Sequence, residues 1–154
     1  MSLDSIRSTI RTKVAGVTGI SGVAPVYDYL RLVTTEAEIK ELMVAGQGRA
    51  HWWSVTPARE NPLGLAWRGL GCQDGLYRWE IHGFYALKDA AASEKAFLVI
   101  VEALMEALRA DLTFGTTVQA YELPAWREHD HRMVSSVLLH HALISVGVRK
   151  QLVP

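Results

Sequence analysis

A chain of 154 residues, 49% hydrophobic and 21% charged, can bury a core of its own and is too apolar to be intrinsically disordered. Its 16 basic and 16 acidic side chains cancel, which excludes a general electrostatic drive towards nucleic acid or anionic membrane but not a local basic patch. The one cysteine, Cys72, excludes an intrachain disulfide and a cysteine-built zinc site, and fits a reducing cytoplasm.

The N-terminal residues 1–7 lack an apolar signal-peptide core. The most apolar run, Ala96 to Leu104, is interrupted by Glu102 and is too short to span a bilayer. The expectation is a soluble intracellular protein with no membrane contact.

Leu3, Ile6, Ile10 and Val14 recur at helical spacing and predict a short opening helix, with Ser2 as its N-cap. Arg7 and Arg11 sit four apart on another side. They read either as a solvated basic face or as contacts to a phosphate or an acidic partner. Gly16, Gly19 and Gly22 end this helix. Val26 to Val33 is aromatic and β-branched enough for a short strand or an extended arm.

Thr35 and Glu38 have the spacing of a capping box and predict a second helix from Glu36 to about Ala45. Ile39, Leu42 and Met43 are its dry positions. Arg49 to Thr56 predicts a strand stopped by Pro57. Trp52 and Trp53 are neighbours there, so one of them faces away from the main core. That one is either covered by the second helix or offered to a partner. From 57 to 75 turn formers dominate, with Trp67 and Leu70 as large apolar exceptions. This is an excursion between strands, with short pairing around Leu65 to Arg68.

Leu76 to Leu87 alternates with a period of two: Tyr77, Trp79, Ile81, Tyr85 and Leu87 on one face, Arg78, Glu80 and His82 on the other. A helix from about Ala90 to Ala110 follows, with Phe97, Val101, Leu104 and Leu108 as its dry stripe. Thr117 to Leu123 suits a short strand. The polar stretch from Ala125 to Met133 reads as a connection. Val134 to Val148 reads as a closing strand antiparallel to the central one, on its β-branched content, although part of it also fits a helical period.

The composite is one α+β domain over 1–154. Its sheet is antiparallel or mixed, with about four to five strands, and two to three helices pack mainly on one face.

Chemistry is sparse. His129 and His131 would share a face while His140 and His141 point oppositely, so no ready three-ligand cluster follows. Neither a nucleophile elbow nor a phosphate-binding loop occurs, and Cys72 has no evident activating base. The exposed aromatic of the Trp52–Trp53 pair, taken as Trp53, joins Arg7, Arg11, Trp67, Arg68 and Trp126 as interface candidates.

The order of elements resembles the tail terminator, or tail completion, proteins of long-tailed bacteriophages and prophages (minor tail protein U-like). The residues carrying this likeness are Trp79 to Tyr85, the helix around Glu94 to Leu104, and the last strand around His141 to Val146. The resemblance implies a small structural subunit of the virion, assembled in the host cytoplasm, that forms a hexameric ring at the head-proximal end of the tail tube. That ring stops tube polymerisation and joins the tail to the head connector, so the implied partners are further copies of the chain, the tube protein, the connector protein and passing DNA. It implies no catalytic residues and no cofactor. The contrasting reading is a small cytoplasmic enzyme or ligand-binding domain using His82, His140 and His141.

Overall fold

The computed structural model describes residues 2–58, 64–67, 73–88, 92–113 and 118–152. The elements are helices α1 (Leu3–Ala15), α2 (Glu36–Ala45) and α3 (Ser93–Ala110), and strands β1 (Val26–Tyr27), β2 (His51–Pro57), β3 (Gly64–Trp67), β4 (Gln73–Ala86), β5 (Val118–Val134) and β6 (Val137–Leu152). The main sheet runs β1-β2-β4-β6-β5, and β3 pairs with the start of β4. β1–β2 is parallel and every other pair is antiparallel, so the fold is α+β with a mixed sheet.

β4 is central because its alternation lets both faces be used. Tyr77, Trp79, Ile81 and Tyr85 enter one core with Trp53 and Val55 of β2 and Ala142, Ile144, Val146 and Val148 of β6. α1 and α3 close that core. Ile6, Ile10 and Val14 come from α1, and Phe97, Val101, Leu104, Met105 and Leu108 from α3. α2 packs on the opposite face, where Leu42 meets Trp52, Phe84 and Leu139. Two of the three helices therefore share a face. Trp52 is stacked on Phe84 at 4.6 Å beneath α2, so the second helix does cover the other tryptophan.

The helix ends follow the sequence signals. Ser2 caps α1 by accepting from the Ser5 N–H, and Thr35 with Glu38 forms the full capping box of α2. The helix expected from Ala90 is seen from Ser93; residues 89–91 lie outside the described residues. The pairing foreseen near Leu65 is β3, opposite Gln73–Leu76, while Arg68, Leu70 and Cys72 lie outside the described residues.

Val26 to Val33 holds both forms expected of it: Val26–Tyr27 is a short strand, and 28–33 leaves the sheet and runs over its open face. One expectation is corrected. The polar stretch Ala125 to Met133 is strand, not connection: it belongs to the 17-residue β5. Three register shifts, at Ala120/Glu122, Glu122/Ala125 and Trp126/Glu128, break its alternation and hide the strand period. β5 turns into β6 through Ser135 and Ser136, both at positive φ (44° and 69°).

Candidate functional site

The face of the sheet opposite α1 and α3 carries the polar residues of β4, β5 and β6. The 29–33 segment crosses part of that face and leaves a groove of about 700 Å³, lined by Tyr29, Trp52, His82, Phe84, Arg132 and Leu143 among others. Arg7 and Arg11 hold the approach to this segment. Arg7 donates to the Asp28 carbonyl at 2.7 Å and its guanidinium lies 5.5 Å from the centre of the Trp79 ring. Arg11 donates to the Val26 carbonyl at 2.9 Å. Arg7 is half-buried and Arg11 exposed; each also ties α1 to a backbone carbonyl, Arg11 to Val26 in β1 and Arg7 to Asp28 just after it.

On the groove side a line of contacts runs through the histidines. Glu80 Oε2 lies 3.4 Å from His82 Nε2, His82 Nδ1 lies 3.2 Å from His141 Nε2, and His141 Nδ1 lies 2.6 Å from Asp130 Oδ1. Arg132 closes the line, meeting Asp130 Oδ2 at 3.1 Å and Glu128 Oε2 at 3.4 Å. The register explains it: Glu128, Asp130 and Arg132 fall on the groove face opposite Leu143, His141 and Leu139. Burial outweighs the carboxylate beside His141 and lowers its pKa. Burial pushes Asp130 the other way, but hydrogen bonds from His141 and Arg132 prevail and lower it.

His140 points to the helix face, as alternation requires. Its Nε2 lies 3.0 Å from Ser93 Oγ, which accepts from the Lys88 N–H at 2.8 Å. His131 and His129 flank His140 there, at ring separations of 5.0 and 6.2 Å. The three histidines His82, His140 and His141 are thus split, with only His82 and His141 adjacent. A further histidine that sequence reasoning did not single out, His51, is buried. It accepts a 2.9 Å hydrogen bond from Trp53 Nε1, and burial followed by the nearby Arg49 charge lowers its pKa to about 4.

The interface candidates fare unequally. Trp53 is enclosed in the core of the chain at 0% exposure and has no surface to offer a partner, which corrects its reading as the outward aromatic. Trp126 is 42% exposed, with its Nε1 donating to the Glu128 carbonyl at 2.8 Å. Trp67 is described only by its backbone place opposite Gln73, and Arg68 lies outside the described residues. The structure adds residues the sequence reading passed over. Leu123 and Met133 on β5 are 68% and 67% exposed, Leu138 across the hairpin is exposed, and Leu32 and Val44 are exposed beside and on α2. Their signal was burial rather than chemistry, and burial depends on knowing that 125–133 is an edge strand.

Among the described residues no helix is long and apolar enough to cross a membrane. No family model and no curated protein matches the sequence. A solved structure whose title states no function aligns over 100% of this chain and 99% of its own, with a TM-score of 0.52 and 14% identity. That likeness shows the fold alone, a three-helix mixed-sheet α+β domain over the described residues.

Proposed function

We propose that this chain is a ring-forming structural subunit of a long-tailed phage tail, one that terminates the tail tube and joins it to the head connector. The observation that carries the reading is the edge strand β5. It is 17 residues long, its outer side pairs with no strand among the described residues, and the hairpin it forms exposes Leu123, Trp126, Met133 and Leu138. Pro124, the charges of 127–132 and three register shifts blunt this edge against strand pairing, so the four large apolar side chains left exposed on the hairpin are what fits a subunit completed by a neighbour.

A second exposed apolar set, Leu32, Met43 and Val44, lies on and beside α2, which packs on β2. β4 and β6 separate β2 from β5 in sheet order. Two unlike patches on one subunit are what a heterologous, closing ring requires. The element order that resembles tail terminators supports the specific assignment. Neighbouring reading frames for tape-measure and tube proteins are its expected genomic setting.

Electron microscopy of purified protein tests the reading. Closed rings are expected, and Trp126→Glu with Met133→Glu is expected to remove them while far-ultraviolet circular dichroism stays unchanged. Rings that persist undiminished in that double variant would contradict the role given to β5.

The groove favours a second reading, a ligand-binding α+β domain. Trp52 Nε1, buried and without an acceptor, and His82 both belong to groove-lining residues. A monomer that binds a small molecule through the groove would support it instead.

A further inference from the structure

The histidine line on the groove face has three junctions: His141 Nδ1 with Asp130, His141 Nε2 with His82 Nδ1, and His82 Nε2 with Glu80. Two neutral imidazoles supply two N–H hydrogens. One junction is therefore a hydrogen short, and a nitrogen lone pair faces a carboxylate or the other ring. A single added cation removes the conflict. Placed on His141 Nδ1, it leaves the His141 Nε2–H for His82 and turns the His82 Nε2–H towards the Glu80 carboxylate 3.4 Å away, so that no lone pair faces another.

The surroundings of Nδ1 suit a metal ion. One donor atom each from Glu128, Asp130 and His141 lies within 4.8 Å of the others. Zinc ligands at their usual bond lengths lie about 3.4 Å apart in a tetrahedral set, so the 2.6 Å contact of Asp130 with His141 opens by about 0.8 Å. Asp130 and Glu128 side chains are 45% and 55% exposed and can make that adjustment, while the His141 side chain is fixed at 0%. Arg132 holds Oδ2 of Asp130 and Oε2 of Glu128, which leaves Asp130 Oδ1 directed at His141. A ligating histidine whose other N–H is held by a chain ending in a carboxylate is the usual support for a metal ligand. Glu128, His82 and Glu80 also line the groove, which supplies an entry path and room for a further ligand.

We infer that Glu128, Asp130 and His141 form a binding site for one divalent transition-metal ion, with His82 and Glu80 holding His141 in the ligating tautomer. The inference is independent of the assembly reading, since it rests on side chains of one subunit. Isothermal titration of the full chain with zinc ions at neutral pH tests it. One ion per chain is expected. Asp130→Asn and Glu128→Gln should each weaken binding at least about ten-fold, and Glu80→Gln about 10- to 100-fold. Replacing His129 and His131 together with Asn should leave affinity unchanged, because they lie on the other face. All these positions except Glu80 lie on the edge strand, and circular dichroism verifies folding of each variant. Three results would overturn the inference: no saturable binding at one equivalent, affinity unchanged in both carboxylate variants, or binding lost with His129 and His131.

Discussion

His51 shows how much a single residue can hide from a sequence. In the chain it is one of six histidines and precedes two tryptophans. In the fold it is 1% exposed, with the Trp53 indole N–H directed at its Nε2, an arrangement that needs the unprotonated ring. Its pKa falls to about 4 against an ordinary value near 6.5. Between those values the unfolded chain takes up a proton that the native state refuses. The stabilising contribution is thus whole above about pH 6.5 and is lost as the pH falls towards 4, by about 3 kcal/mol. Urea unfolding at pH 7 and pH 4.5 should show the loss, and His51→Gln should flatten the difference. Equal slopes in the two proteins would refute the assignment. Gly83 is a second such residue. A glycine inside a strand signals a close approach, and here a Cβ would come within 2.4 Å of the Trp53 ring, the buried neighbour across β2–β4. The glycine was visible in the sequence; the ring it accommodates was not.

Elements with a clean period were legible and those without one were not. α1, α2, α3, β2 and β4 follow from apolar spacing, and most of their dry positions are buried, but Leu3 and Met43, expected on the dry faces of α1 and α2, are 42% and 37% exposed. Trp79, 2% exposed on β4, and Leu104, buried on α3, belong to the same core, so each alanine substitution should cost about 2–5 kcal/mol in chemical denaturation. Losses below about 1 kcal/mol in both would mean that the strand and helix do not share that core.

The start of β5 was legible in the strand expected over Thr117 to Leu123, but the rest was not, for two physical reasons. Its register shifts break the two-residue period, and an edge strand can carry polar residues on both faces. The turn after it gives no Asn-Gly signal either, although Val134 pairs Val137 across a two-residue loop with both φ values positive. Serine pays for that backbone where asparagine and glycine would not. Ser135→Asn with Ser136→Gly should therefore raise stability by about 1–2 kcal/mol, measured as a shift of the unfolding midpoint at constant slope. A lower midpoint would show that the serines make contacts that outweigh the strain.

The groove-face histidine line has the same origin as the missed strand. With 125–133 read as a connection, Asp130 had no reason to stand beside His141. Once β5 pairs with β6, the two are register partners.

For the whole molecule the mixed α+β architecture was readable from the order of elements, and the distribution of exposed apolar surface was not. A chain whose described residues leave a long strand edge unpaired on one side and apolar residues exposed around α2 on another has the surface that the proposed ring subunit needs. The neutral overall charge sets up little repulsion between copies. The central claim is therefore a statement about mass. Light scattering coupled to size exclusion, run on the full chain across a wide concentration range, should give a single closed oligomer, near six subunits by the tail-terminator resemblance. A monomer of 17.1 kDa at every concentration would contradict the account.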